Sequence, residues 1–327
     1  GTTSRFVTAL AALGTGPYTI DGEPPLRARP MGPLHDALTA LGATVDPAER
    51  YGHLPVTVTG PMRGGVEVGI RGDVSSQFLT ALMLVGPYVP GGLHVIVTTA
   101  LVSRPYLEIT KAVMGEFGHH DVTVDSDAIA VASGTYRGRE YTIEPDASSA
   151  SYALAAAAVC GGRVEVPGLS QSSLQGDAAF CQVLSAMGCS AVRNETSTVV
   201  DGGPLHGIDI DMVDMSDLVP TLAAVALFAG SPTRIRGVGF IRAKESDRLG
   251  DLCAELRKLG ADAEETDDGM VIRPGKLHGA RLATHDDHRL AMAFGVIGLR
   301  VPGVEIEHPD VVTKSWPGYW DVLGGLQ

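Results

Sequence analysis

Apolar positions along this chain follow two periods that take turns. Leu249, Leu252, Leu256 and Leu259 recur at three- and four-residue steps, which predicts one buried face of a helix over residues 243–259. Short alternating runs such as VTVD at 122–125 and MVIR at 270–273 predict half-buried strands. The alternation itself repeats. An acidic residue, small hydroxyl residues and an Ala/Leu-rich helix recur from Asp73, Asp146, Asp217 and Asp287, at steps of 73, 71 and 70 residues. GTTSRFVTALAAL opens the chain about one step earlier. A second marker, a glycine at a helix end followed by a strand pair, recurs at Gly42, Gly118, Gly188 and Gly260.

Each unit therefore reads helix, strand, helix, strand, turn, strand. Four units are complete, and a fifth from about Arg281 has a helix, a strand over 304–307 and a short tail. The Asp, Ser or Thr at each first-helix start is expected to be an N-cap, satisfying otherwise orphaned N–H groups. Helix N-termini are also anion seats, and units that share a centre would aim several at one place.

The chain has 327 residues, which favours two domains over one core. A hydrophobic share of 44% with 19% charged residues is that of a globular chain. The net charge of -13 argues against general nucleic-acid binding, so any anion site must be a local group of Arg and Lys. Cys160, Cys181, Cys189 and Cys253 show no C-x-x-C spacing, which points to small buried residues in a reducing cytoplasm rather than to a disulfide frame or zinc site. No run is long enough to span a bilayer and no signal peptide is visible. The chain starts at Gly1 without Met, from which a preceding segment is expected.

Candidate chemistry sits at element ends. Lys244 and Arg248, four apart at the start of the 243–259 helix, crowd two cations where the macrodipole is also positive, and an anionic ligand would relieve that. The plainer reading is a solvated turn held by a Glu245–Arg248 pair. Arg27 and Arg29 precede Pro30 and are expected to face the same way on an extended segment. Ser75, Ser76 and Gln77 open one helix, and Ser103-Arg104-Pro105 opens another. Asp217 stands at the mouth of a strongly apolar helix, where a partly desolvated carboxylate can act as a base. His285 and His288 flank a helix start without a third ligand at defined spacing, so polar capping beside an anion-facing Arg289 is preferred to a metal. Lys314 follows the last strand. Arg29, Lys244, Arg248, Arg289 and Lys314 thus come from different units, and their recurrence points to a shared anionic centre.

The motifs GTTSRF, GEPPLRARPMG, RGDVSSQFLTAL, LVSRPYLEIT, DASSASY, QGD at 175–177, RAKESDRL, DDHRLAM and the Lys314 segment run in collinear order through the whole chain. On these the sequence closely resembles the 5-enolpyruvylshikimate-3-phosphate (EPSP) synthases. That resemblance implies an α/β fold of two domains, each an inside-out α/β barrel of repeated βαβαββ-like units with helices in the middle, the enolpyruvyl transferase fold. It implies domains over 1–144, with two of three units, and 145–327, with most of three. About one unit's length, with the family's early Lys-Ser…Arg motif, is expected upstream of Gly1.

The implied reaction moves the enolpyruvyl group of phosphoenolpyruvate onto the 5-hydroxyl of shikimate 3-phosphate, a shikimate-pathway step toward aromatic amino acids. By matching position, Asp217 resembles the base at the 5-hydroxyl. Glu245 resembles the acid that protonates the methylene carbon, a job shared in the family with the Lys expected upstream. Ser75, Ser76, Gln77, Ser103, Asp217 and Lys244 match shikimate 3-phosphate contacts. Gly1, Arg29, Gln77, Arg248, Arg289 and Lys314 match phosphoenolpyruvate contacts. Many family members carry a polar residue where this chain has Phe240, so that contact is not carried over. No metal or organic cofactor, nucleic acid or membrane is implied. A cytoplasmic monomer is expected, closing on its substrates, with glyphosate expected to compete at the phosphoenolpyruvate site. One alternative is an inactive or split substrate-binding fragment of the same family. Another is the UDP-N-acetylglucosamine enolpyruvyl transferase, disfavoured because no cysteine here sits in its reactive loop.

Overall fold

The computed structural model describes residues 1–326. It has two compact units, Gly1–Tyr141 and the chain from Thr142 onward. In each, a strongly apolar helix is buried, which follows from the sequence. A helix that is apolar all round must be buried. Every residue of the Val219–Ala226 helix is buried, as are eight of the ten in the Ser76–Val85 helix.

In the first unit the Ser76–Val85 helix packs between the Thr2–Ala11 and Pro105–Glu116 helices. Around them lie two open sheets. One is antiparallel, in the order Tyr18–Ile20, Val56–Thr59, Thr44–Pro47. The other runs Glu67–Ile70, Leu93–Val97, Ala128–Val131, Val122–Val124, with its first pair parallel. In the second unit the Ala147–Cys160, Val219–Ala226 and His288–Gly298 helices pack on one another. A three-stranded antiparallel sheet, a four-stranded mixed sheet and a two-stranded parallel pair surround them.

The glycine marker is a repeated structural device. Gly42, Gly118, Gly188 and Gly260 have φ of 90°, 85°, 110° and 82°, left-handed backbone that glycine adopts without strain and that ends the helix. The strand pair that follows each one returns the chain to the same point. The amides of Arg63, Arg137, His206 and His278 donate to the carbonyls of Leu41, Phe117, Met187 and Leu259, at 2.6, 2.7, 2.9 and 2.9 Å. The residue just before each glycine thus clasps one about twenty positions on.

Two expectations are corrected. The helix expected over 243–259 starts only at Gly250 and runs to Lys258. A 3-10 turn covers Gly239–Ala243, and residues 244–249 are irregular. The cause is Asp247, whose Oδ1 accepts from the amides of Leu249 and Gly250 at 3.1 and 2.9 Å, while its own amide donates to Asp251 at 3.0 Å. A short acidic side chain that bonds nearby backbone starts the helix where it sits. Leu249, Leu252, Leu256 and Leu259 are nonetheless fully buried, each worth about 2 kcal/mol. Arg27 and Arg29 are not on an extended segment. Pro24–Arg27 is a short helical turn, with half-buried Arg27 paired to Asp21.

Caps are also mixed. Ser75, Asp146 and Asp287 cap their helices through Gln77, Ser148 and Arg289 amides. Asp73 pairs with Arg71 instead, and Asp217 caps nothing. All four cysteines are free thiols, and Cys160 is exposed. Among the described residues no helix is long and apolar enough to cross a membrane.

Candidate active site

The site in the second unit is built around one guanidinium. Arg248 is 1% exposed and donates to three carboxylates. Its Nε reaches Asp287 Oδ2 at 2.7 Å, its Nη1 Asp217 Oδ1 at 2.9 Å and its Nη2 Glu245 Oε2 at 2.7 Å. The irregular 244–249 segment makes this possible, because it releases Lys244 and Arg248 from helical spacing. The like-charge crowding expected between them is offset by a carboxylate that both approach. Asp217 lies between them, with Lys244 Nζ 3.9 Å from its Oδ1.

Asp217 arrives on the 3-10 turn Ser216–Leu218 that leads into the apolar Val219–Ala226 helix. Its other oxygen accepts from Arg289 Nη2 at 2.8 Å. Arg289 sits in the first turn of the His288–Gly298 helix, and its amide is bound by the capping Asp287. Lys314, at the end of the 3-10 segment Pro309–Lys314, donates to Glu245 Oε1 at 3.2 Å. Ser246 Oγ donates to Asp287 Oδ2 at 3.1 Å. The structure therefore brings together Asp217, Lys244, Glu245, Arg248, Arg289 and Lys314. Four cations face the three carboxylates of Asp217, Glu245 and Asp287, which leaves a surplus of one positive charge.

Electrostatics follow from that arrangement. Burial pushes the Asp217 carboxyl up, but Arg289, Lys244 and Arg248 outweigh it and hold it well below the usual carboxylate range. Asp287, fully buried, is likewise raised by burial and brought below its ordinary value by Arg248. Asp177 goes the other way. Burial, reinforced by the negative charge of Asp217, pushes it up to about 6. Ser148 donates to it, and Gln175 of the same QGD run accepts from the Ala147 amide at 2.8 Å, so this run supports the start of the Ala147–Cys160 helix. Phe240 takes a packing role, with the Lys244 ammonium 5.8 Å above its ring.

The first unit carries a second polar group. Buried Arg5 donates through Nη1 to Ser75 Oγ at 3.1 Å and Gln77 Oε1 at 2.6 Å, and its guanidinium lies 4.7 Å from the Phe78 ring centroid. Ser76 is buried beside them. Arg29 lies against Gly1, where a β-carbon would meet the guanidinium and push it aside. Ser103 is buried as well. It has a left-handed φ of 55° before the Pro105–Glu116 helix, which a Thr80–Thr110 hydroxyl contact of 3.1 Å ties to the Ser76–Val85 helix. Arg5, Ser246 and Asp287 are site members that sequence reasoning did not assign. The repeated motif start marked Arg5 and Asp287, but not their partners.

Against known proteins, residues 1–323 match the family model of EPSP synthase (3-phosphoshikimate 1-carboxyvinyltransferase). The chain is 46% identical over 327 residues to the 3-phosphoshikimate 1-carboxyvinyltransferase of Methanoculleus marisnigri, covering 99% of this chain and 77% of that protein. It is 44% identical over 322 residues to the enzyme of that name from a Nostoc species, covering 98% and 76%. Among solved structures it is similar in fold to EPSP synthase from Acinetobacter baumannii, with a TM-score of 0.80 at 24% identity over 100% of this chain and 77% of that one.

Proposed function

We infer the chemistry from one premise: the chain belongs to the EPSP synthase family. It is a transferase of the shikimate pathway, a 3-phosphoshikimate 1-carboxyvinyltransferase that moves the enolpyruvyl group of phosphoenolpyruvate to the 5-hydroxyl of shikimate 3-phosphate and releases phosphate. Residue roles are our own proposal.

One observation carries it. Three of the cations assigned to phosphoenolpyruvate are paired with the two carboxylates assigned to proton transfer. Arg248 and Arg289 hold Asp217, while Arg248 and Lys314 hold Glu245. When the phosphate and carboxylate of phosphoenolpyruvate take those donors, each carboxylate loses the partners that keep it a poor proton acceptor.

In the addition step, Asp217 takes the proton of the 5-hydroxyl as that oxygen attacks C2 of phosphoenolpyruvate, and Glu245 gives a proton to C3. In the elimination step, the Glu245 carboxylate takes a proton back from the new methyl group, the C–H electrons form the C2–C3 double bond, and the bond from C2 to the phosphate oxygen breaks, with phosphate keeping that electron pair. The cations stabilise charge throughout by electrostatic preorganisation. Asp287, which holds Arg248 by Nε and Nη2, keeps that guanidinium in place.

Ser75, Ser76, Gln77, Ser103, Asp217 and Lys244 are assigned to shikimate 3-phosphate. Gly1, Arg29, Gln77, Arg248, Arg289 and Lys314 are assigned to phosphoenolpyruvate. The working form in this reading is a cytoplasmic monomer. Phosphate release from the two substrates by the 327-residue chain tests the reading. Binding of both substrates without release would instead support the substrate-binding alternative.

A further inference from the structure

We propose that Glu255, acting with His285, is a positioning residue for Arg289: it fixes the turn that delivers Arg289 to the anion site. This rests on the assignment of Arg289 to phosphoenolpyruvate.

Glu255 is 2% exposed on the inner side of the Gly250–Lys258 helix and belongs to none of the assigned groups. A buried carboxylate needs donors, and what supplies them shows what it holds. Its Oε2 accepts from the Ala283 amide at 2.9 Å, and its Oε1 lies 2.9 Å from His285 Nε2. Lys258, from its own helix, donates to both oxygens at 2.9 and 2.7 Å. Asp251, also on that helix, lies 3.7 Å from the other His285 nitrogen. The helix therefore grips the 283–285 segment through backbone and side chain together.

That segment is a tight and unusual turn. The Asp287 amide donates to the Thr284 carbonyl at 2.9 Å, and both central residues, His285 and Asp286, have positive φ, 51° and 55°. Two successive non-glycine residues in that region persist only where their surroundings impose the conformation. The impositions are visible on both sides. Glu255 holds the turn's entry, and Arg248 with Ser246 holds its exit through Asp287. Two residues past the turn is Arg289, its guanidinium on Asp217. If the entry is released, the turn relaxes toward right-handed φ and the base of Arg289 moves. A misplacement of about 1 Å can cost about a hundredfold in a site of this kind.

The test compares Glu255→Leu, Glu255→Gln, His285→Ala and Arg289→Ala in the 327-residue chain. Each is read by calorimetric binding of shikimate 3-phosphate, by phosphoenolpyruvate binding in its presence, and by amide exchange over residues 283–289. Glu255→Leu and His285→Ala are expected to weaken phosphoenolpyruvate binding about tenfold or more, to leave shikimate 3-phosphate binding within about twofold, and to speed exchange in the turn. Glu255→Gln keeps an acceptor for the Ala283 amide and is expected to restore most of the affinity. Equal weakening for both substrates, or faster exchange with unchanged phosphoenolpyruvate binding, would show that Glu255 serves only the fold and would overturn the proposal. If Glu255→Leu does not fold, His285→Ala decides by the same criteria. If Arg289→Ala itself leaves phosphoenolpyruvate binding unchanged, the assignment of Arg289 fails first; if Arg289→Ala weakens it and the other variants do not, only the positioning role fails.

Discussion

Replacing Asp217 by Asn separates the proton-acceptor role proposed for it from its observed pairing with the cations. The amide keeps one acceptor oxygen for Arg248 or Arg289 and loses the charge. Asp217 is about one-fifth exposed and its bonds to the two guanidinium groups are 2.9 and 2.8 Å. Losing one charge-assisted bond costs about 1.5–3 kcal/mol, partly offset by the lower desolvation cost of an amide. That lowers the thermal midpoint by several degrees, at about 2–4 °C per kcal/mol in a unit of this size. Turnover falls by about 10²–10⁴ when a positioned base is lost.

Affinity moves the opposite way. The local surplus rises from one positive charge to two. One unit charge about 6 Å from a bound anion contributes at most about 3 kcal/mol at an effective dielectric constant of about 20. Phosphoenolpyruvate is therefore expected to bind Asp217→Asn at least severalfold more tightly while phosphate release collapses. Calorimetry in the presence of shikimate 3-phosphate, beside a phosphate-release assay, measures both. Weaker binding in proportion to the lost rate would show that Asp217 merely holds the cations, and the base assignment would fall. So would a rate loss below tenfold.

Three further outcomes are expected. Arg248→Met leaves the fully buried Asp287 without its main partner and is expected to cost about 3–5 kcal/mol in urea unfolding, with Arg248→Lys losing less. Asp177, raised by burial to about 6, holds its proton in the fold where the unfolded chain has lost it. Its contribution is complete below the unfolded value near 4 and is lost as pH rises through about 6, so Asp177→Asn should be neutral near pH 4 and stabilising by up to about 3 kcal/mol above pH 7 in pH-resolved thermal unfolding. His35, 1% exposed with no hydrogen-bond partner for either ring nitrogen, is depressed to about 4 by burial and then by His53. The stability it permits is complete above its unfolded value of about 6.5 and lost as pH falls toward 4, so His35→Leu should flatten the acid limb of first-unit unfolding by about 3 kcal/mol.

The parts of the fold legible in the sequence are those governed by local chemistry. The four glycine stops, the hairpins after them and the caps at Asp146 and Asp287 follow from neighbours a few residues away. The family resemblance, carried by long collinear motifs, agrees with the family match across residues 1–323. What stayed hidden depends on partners distant in sequence. Arg5 meets Ser75 across 70 positions, Arg248 meets Asp287 across 39 and Arg289 meets Asp217 across 72. Four of the counted cations do cluster in the structure, but counting them overstated their net charge, because Asp217, Glu245 and Asp287 pair with them. The late start of the Gly250–Lys258 helix was missed because Asp247 competes locally for backbone donors, which apolar spacing does not register.

The amide clasps at Leu41–Arg63, Phe117–Arg137, Met187–His206 and Leu259–His278 bear on how such a chain assembles. Each closes an excursion of about twenty residues, and the entropy of closing a short loop grows only slowly with its length. The hairpins can therefore form early and independently, and the slow part of folding is left to the long-range docking of the central helices.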